Sequence, residues 1–199
     1  WLEMELQPNQ IHILEPHLPT TDILRNRGLK AVGSERDLPP DLEPSIVLFA
    51  VKPQSMDAAA PTFARYSSPS TTFLSIAAGK PITYFENIFG TEASIVRAMP
   101  NTPAAIRRGI TVAASNCKVS KGQKHICSSL LGAVGEVAWV EDEVLIDAVT
   151  ALSGGGPAYV FLLTECMAQA GIEAGLPKEL STRLARLTVS GAGELMDRS

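Results

Sequence analysis

The sequence contains few cysteines and no pattern that would use them. Its 199 residues include only Cys117, Cys127 and Cys166, without a Cys-x-x-Cys pair. This spacing argues against a disulfide framework or a thiolate metal site, and it favours a reducing compartment. The first ten residues lack a basic leader followed by an apolar run, so they do not resemble a secretory signal. We therefore expect a cytoplasmic location, and the helical patterns around Cys127 and Cys166 predict that both are core thiols.

Clustered positive charge is also absent. The chain has 17 basic and 21 acidic residues, and its longest basic run is the pair Arg107 and Arg108. Nucleic-acid binding requires a positive stripe, and a membrane span requires roughly 18 uninterrupted apolar residues. Neither is present, so we expect no nucleic-acid or membrane partner. The scattered histidines His12, His17 and His125 predict neither a metal site nor a Ser–His–Asp triad.

The sequence has no Gly-x-Gly-x-x-Gly turn and no phosphate-binding Gly-x-x-x-x-Gly-Lys loop. Apolar, strand-like runs nevertheless alternate with helical patterns through residues 1–146. The run at 46–51 is apolar at every position, as in a parallel strand covered on both faces. Strand-like runs are at 11–14, 30–32, 46–51, 71–76, 95–99, 110–114 and 136–140, and helical patterns at 20–27, 54–66, 81–89 and 121–131. The alternation predicts an α/β fold, a Rossmann-like doubly wound and mostly parallel sheet.

Residues 147–199 form a second unit that is expected to be all helical. Breaks are predicted at 153–157 and 175–177, with Ser153 capping a helix that begins near Pro157. That helix is apolar around most of its circumference, which is typical of burial against a partner chain. Thr20 or Thr21 is predicted to cap the first helix and Gly28 to end it.

Three loops, at 50–53, 76–79 and 100–103, follow predicted parallel strands. The carboxyl ends of such strands share one edge, so these loops should line one ligand crevice. The amine of Lys52 is able to pair with a cofactor phosphate or with a substrate carboxylate. The alternative is an ordinary surface lysine at the end of a strand. Asn101 and Thr102, between two prolines, suit precise donor placement or simply a rigid turn.

Two further features allow a functional and a structural interpretation. Glu15 ends the first strand, where an acidic residue binds the ribose hydroxyls in dinucleotide-binding folds; it also suits a solvated turn before proline. The glycines at 154–156 offer free N–H groups to an anion, or they form a tight bend. Hydride transfer fits this chain best, because a cofactor then supplies the reactivity and the protein positions it.

Four strings in order resemble the motifs of pyrroline-5-carboxylate reductases. They are AVKPQ at 50–54, SIAAG at 75–79, RAMPNTP at 97–103 and DAVTALSGGGPAY at 147–159. Each is short, but their order and spacing cover about 110 residues. The resemblance implies reduction of 1-pyrroline-5-carboxylate to L-proline by NADPH or NADH, and a homodimer, or a ring of dimers, formed through the helical unit.

The resemblance also implies roles for individual residues. Asn101, Thr102 and Lys52 are expected at the reaction centre, and Glu143, Gly155 and Gly156 beside the bound cyclic imino acid. The residues expected to contact the cofactor are Glu15, Ala50, Val51, Lys52, Pro53, Ile76, Ala77 and Ala78. Glu15 replaces a small or basic residue and favours NADH.

Departures from the family pattern leave alternatives open. The family's opening strand with its glycine turn and its Ser-Pro-Gly-Gly-Thr-Thr-like segment are expected to be missing from these 199 residues, and Gly155 replaces a serine. We therefore also consider a related dehydrogenase, or an inactive fragment that retains only dimerisation.

Overall fold

The computed structural model describes residues 1–2 and 6–199. In this part of the chain the strands β1 to β7 are His12–Leu14, Lys30–Val32, Ile46–Phe49, Thr72–Ser75, Ser94–Met99, Gly109–Ser115 and Gly135–Trp139. The helices α1 to α7 are Leu18–Asn26, Met56–Ala59, Ile82–Phe89, Lys121–Gly132, Leu145–Val149, Gly156–Glu173 and Lys178–Asp197. The predicted succession of an α/β half and a helical half is confirmed.

The central sheet has five strands in the order β3-β4-β5-β6-β7, and β1 pairs with β2 separately. All pairs are parallel except β5 with β6. The mostly parallel sheet is therefore confirmed, but β6 and β7 run opposite to β3, β4 and β5. The reason is the short link from β5 to β6, which contains only the 3₁₀ turn Thr102–Ile106. A parallel crossover needs a dozen or more residues.

Side chains alternate between the two faces of the sheet, and each face is covered by helices. Phe73 and Ile95 belong to the apolar cluster beneath α2 and α3. Their neighbours Leu74 and Val96 belong to the cluster beneath α4. This period of two leaves neither face of β4 or β5 open to water.

The predicted boundaries in the first half need three corrections. Helix α1 begins at Leu18, because Pro19 suits a first helical turn, and no side chain caps it. Thr21 is instead buried, and its hydroxyl donates to the Glu15 carbonyl at 2.6 Å.

The helix predicted at 54–66 consists of short α and 3₁₀ pieces, because Pro61 lacks an N–H. The stop at Gly28 is confirmed by its φ of 80°.

The break predicted at 153–157 is wrong. Helix α5 continues through the π-helical turn Thr150–Gly154 into α6. Gly155 keeps a right-handed helical backbone, and its N–H donates to the Thr150 carbonyl at 2.8 Å, which accommodates one extra residue in the turn. Ser153 is therefore not a helix cap. The break at 175–177 is confirmed, with Gly175 at φ 98°.

Helix α6 has no buried residue within this chain. The helical run 145–173 is long and apolar enough to cross a membrane by length and composition, and its most apolar part is almost entirely unburied within this chain. Cys166 on α6 is exposed, so the prediction of a core thiol is wrong there, because its helix packs so little. For Cys127, which is fully buried, it is confirmed.

Candidate active site at the carboxyl edge of the sheet

The three predicted loops lie at one edge of the sheet. β3, β4 and β5 are parallel neighbours, so the segments 50–53, 76–79 and 100–103 all follow carboxyl ends of adjacent strands. Lys52, Ala78 and Asn101 are therefore not scattered over the molecule. The topology supports the predicted crevice, whereas the roles of its individual residues stay predictions.

The loop after β3 is open to solvent. Ala50, Val51 and Lys52 are exposed, and Pro53 is half-buried and begins a 3₁₀ turn. The loop after β4 is more firmly held: Ala77 is buried, and its N–H donates to the Ser75 hydroxyl at 3.2 Å. Ile76 and Ala78 are partly exposed. The loop after β4 has only small residues beyond Ile76, whereas Val51, Lys52 and Pro53 give the loop after β3 larger side chains.

Both ends of the Asn101 side-chain amide are bound. Its Nδ2 donates to the Ser153 hydroxyl at 3.2 Å, and its Oδ1 accepts the Ile110 N–H at 3.0 Å. The first contact joins the loop after β5 to the π-helical turn, and the second joins it to the start of β6. Thr102 is exposed beside it. Asn101 thus holds the helical unit against the sheet edge.

Gly155 and Gly156 do not form the predicted tight bend, because both continue the helix. A side chain at Gly155 would lie 2.9 Å from the Tyr159 hydroxyl, which donates to the Ala151 carbonyl at 3.2 Å. No atom lies within 4 Å of a side chain built at Gly156. Their role at the substrate stays a prediction.

Glu15 lies just beyond β1 and is half-buried. Its carboxylate accepts the His17 N–H at 2.8 Å, and its carbonyl accepts the Thr21 hydroxyl. The side chain is therefore held in the turn, at the strand end where the predicted ribose contact would occur. These contacts fit both interpretations of Glu15.

An ion-pair cluster that the sequence did not predict lies beneath the site. Arg97 of β5 is buried, and it donates to Glu143 at 2.9 Å and to Asp147 at 3.1 Å. The same oxygen of Glu143 accepts the N–H of Ile82 at 2.8 Å, in the first turn of α3. A substrate role for Glu143 would have to use its other oxygen, so that role stays a prediction. The only sequence signal was an arginine within an apolar strand.

A second cluster connects the loop after β4 with α2. Lys80 donates to Asp57 at 2.6 Å, and its ammonium lies 4.2 Å from the centre of the Tyr84 ring. The Tyr84 hydroxyl donates to the same Asp57 oxygen at 2.7 Å. Hydrogen bonds from Lys80 and Tyr84 lower the pKa of Asp57. Burial, followed by the hydrogen bond to Asp57, raises the pKa of Tyr84 to about 12.

Residues 143–199 match the family model described as pyrroline-5-carboxylate reductase dimerisation. A pyrroline-5-carboxylate reductase of Pseudomonas aeruginosa is 43% identical over 150 residues, which cover 75% of this chain and 55% of that protein. The corresponding Synechocystis protein is 36% identical over 194 residues, which cover 98% of this chain and 71% of the relative. The chain thus spans about half to about seven-tenths of these relatives.

Solved structures give the same result. A pyrroline-5-carboxylate reductase from Coxiella burnetii matches 100% of this chain and 73% of its own, with a TM-score of 0.91 and 32% identity. A Plasmodium falciparum pyrroline carboxylate reductase with NADP bound matches 86% of this chain and 65% of its own, with a TM-score of 0.73 and 32% identity. A prephenate dehydrogenase from Aquifex aeolicus, at 14% identity and a TM-score of 0.56, shares the fold alone.

Proposed function

Because the chain belongs to the pyrroline-5-carboxylate reductase family, we propose that it serves in the NAD(P)H-dependent reduction of 1-pyrroline-5-carboxylate to L-proline, the last step of proline synthesis. The observation that carries the proposal is the shared edge of the three motif loops, with a helical unit held against it by Asn101 and Ser153. The alternative of a related dehydrogenase has no comparable support in sequence identity.

The residues of this edge suit a bound nicotinamide cofactor. Ala50, Val51, Lys52 and Pro53 would border it on one side, and Ile76, Ala77 and Ala78 on the other. The fit rests on the adjacent carboxyl ends of β3 and β4 and on the small residues Ala77, Ala78 and Gly79 of the second loop, while the Ala77 N–H is already bound to the Ser75 hydroxyl. The exposed ammonium of Lys52 is available to a cofactor phosphate or to a substrate carboxylate.

The chemistry of reduction requires little from the protein beyond orientation. A bound nicotinamide cofactor would supply hydride chemistry at the imine carbon, and the positive charge of the iminium ion would make a strong general acid unnecessary. Asn101 and Thr102 would orient the imine at the edge, and Gly155 and Gly156 would lie beside its carboxylate, with the Gly155 N–H already bound to the Thr150 carbonyl. Glu143 would contact the bound amino acid only through its free oxygen.

Glu15 favours NADH over NADPH in this proposal. Its carboxylate lies at the carboxyl end of β1, where it would accept hydrogen bonds from ribose hydroxyls and repel a 2′-phosphate. The contact with the His17 N–H fixes its position. The Plasmodium relative was solved with NADP bound, so the choice between NADH and NADPH is a matter for measurement.

The helical unit would form a homodimer or a ring of dimers. Support comes from the match to a dimerisation domain and from the exposed apolar side chains of α6, among them Tyr159, Phe161 and Leu162. At about 100° per residue these three side chains point in different directions around the helix, so a second copy of the chain would cover most of the surface of α6. We accordingly propose a cytoplasmic enzyme without a membrane or nucleic-acid partner.

The test follows the oxidation of NADH and NADPH by the complete protein that carries these residues, with 1-pyrroline-5-carboxylate as substrate. Turnover with this imine, and little with keto acids, is expected; no turnover would overturn the assignment. Residues 1–199 alone are expected to be inactive and to dimerise, because the apolar face of α6 is present. Calorimetry with NADH and light scattering would examine that second candidate function, a dimerisation module.

A further inference from the structure

Arg97 is an unusual residue for the middle of a covered strand. It is only 6% exposed, and its strand neighbours Val96 and Ala98 are fully buried. A buried guanidinium is tolerated only when its donors are paired, because its desolvation is costly. Arg97 is paired with two carboxylates, at 2.9 Å to Glu143 and 3.1 Å to Asp147.

The cluster joins elements that lie far apart in sequence. Arg97 belongs to β5, Asp147 belongs to α5, and Glu143 precedes α5 by two residues. The Glu143 oxygen that binds Arg97 also accepts the Ile82 N–H at 2.8 Å, so it caps the first turn of α3. One carboxylate therefore fixes the start of the helical unit to both the central strand and an adjacent helix.

The segment that starts at this cluster reaches the site edge. It runs through α5 into the π-helical turn, where Ser153 accepts the Asn101 amide. Met99, at the end of β5, lies against this turn, because a side chain built at Gly154 would be 2.5 Å from its Cε. Two residues after Glu143, the backbone becomes helical and stays regular or π-helical from Leu145 to Ser153. A shift at the cluster would consequently be transmitted to Asn101.

We propose that Arg97 and Glu143 are positioning residues. They fix the segment 145–154 over the carboxyl edge of the sheet and thereby keep the Asn101 amide hydrogen-bonded to the Ser153 hydroxyl. The catalytic part of this inference rests on the proposed function, whereas the structural part does not. Asp147 contributes less, since its side chain is 81% exposed and an exposed ion pair is worth little.

The first experiment measures hydrogen–deuterium exchange in the complete protein. E143Q keeps the size of the side chain and an oxygen for the Ile82 N–H, but it removes the charge that faces Arg97. The amides of residues 145–155 should exchange about tenfold faster, because local opening no longer breaks a buried ion pair. D147N is the matched control at the exposed carboxylate, and its exchange should stay within about twofold of wild type.

Unchanged exchange in E143Q, or equal acceleration in D147N, would refute the proposed positioning role of Arg97 and Glu143. R97L provides a second route to the same result, with circular dichroism showing whether it folds. If R97L does not fold, the E143Q and D147N comparison decides the question. Because exchange needs no turnover, this measurement stands even if the protein fails to reduce pyrroline-5-carboxylate.

The second experiment separates positioning from general stability. In an active enzyme, E143Q should lower kcat about tenfold. The KM for the cofactor should stay within about twofold, because the loops after β3 and β4 are not part of the ion pair between Arg97 and Glu143. Combining E143Q with S153A should cost little more than either change alone, since both act through one contact. Additive losses, or a changed cofactor KM with unchanged kcat, would contradict the inference.

Discussion

At the scale of single residues, burial separates the thiols of the chain by reactivity. Cys127 is fully buried beneath β5 and β6, and desolvation raises the pKa of its thiol to about 11. In a C166S variant at pH 8, iodoacetamide should therefore modify Cys117, which is exposed, and leave Cys127 unmodified until the protein unfolds. Mass spectrometry of tryptic peptides gives the result. Equal labelling of both thiols in the folded protein would contradict it.

Asp57 provides a pH-dependent prediction. Its pKa lies below the ordinary value of 3.8 because Lys80 and Tyr84 hydrogen-bond to the charged form. A carboxylate whose pKa is lower in the folded state stabilises the fold when the pH is above its pKa in the unfolded state. This contribution disappears as the pH falls through its pKa in the folded state. D57N should thus be less stable than wild type at pH 7, and the difference should be lost as the pH falls through the lowered pKa of Asp57. Urea unfolding at several pH values measures it, and a constant difference would exclude the ion cluster as its cause.

At the scale of elements, α6 and α7 pair through a close contact. Gly171 of α6 faces Ser181 of α7, whose hydroxyl donates to the Ala168 carbonyl at 2.6 Å. A Cβ at Gly171 would overlap the Ser181 hydroxyl. G171A should therefore destabilise the protein by about 1–3 kcal/mol in denaturant unfolding.

Gly191 on α7 supplies the control for that substitution. No atom lies within 4 Å of a side chain built there, and the residue is helical. G191A should be neutral or stabilise by about 0.5–1 kcal/mol, because alanine loses less backbone entropy than glycine in a helix. If G171A and G191A change the free energy of unfolding equally, the close contact between Gly171 and Ser181 does not explain the effect of G171A.

At the scale of the whole molecule, the proposed dimer predicts that stability depends on association. F161E places a charge among the exposed apolar side chains of α6 and should convert the dimer to monomers in analytical ultracentrifugation. The wild-type unfolding midpoint should rise with protein concentration, as for any obligate dimer. I23E alters an equally exposed apolar residue on α1 and should remain dimeric. A dimeric F161E would place the interface elsewhere.

The sequence predicted most of the fold because its strands and helices differ in periodicity. The buried run at 46–49 and the helix at 82–89 lie where the pattern placed them. Loop order at the sheet edge followed from parallel pairing, which makes distant motifs converge. The reversed direction of β6 depended on the short connection between β5 and β6. The alternation of strand and helix patterns does not show the direction in which a strand runs.

The rest of the site depends on contacts that no spacing encodes. Arg97 meets Glu143 across 46 positions, and Lys80 meets Asp57 across 23. The break predicted at 153–157 failed because glycine tolerates helical angles as readily as turn angles when neighbouring turns continue. The α/β pattern predicted the loops of the crevice, but it did not reveal what holds the helical unit against them.

The π-helical turn at Thr150–Gly154 has a consequence for how this stretch of chain tolerates changes in length. Each residue of a helix advances its direction by about 100°. The π-helical turn already absorbs one extra residue, so deleting one residue here would restore ordinary winding and leave the side chains of α6 close to their present directions. Inserting one residue in the regular helix between Gly156 and Phe161 would instead turn Phe161 and every later side chain of α6 by about 100°. The chain should therefore tolerate a single-residue deletion at the irregular turn better than an insertion in the helix that follows it.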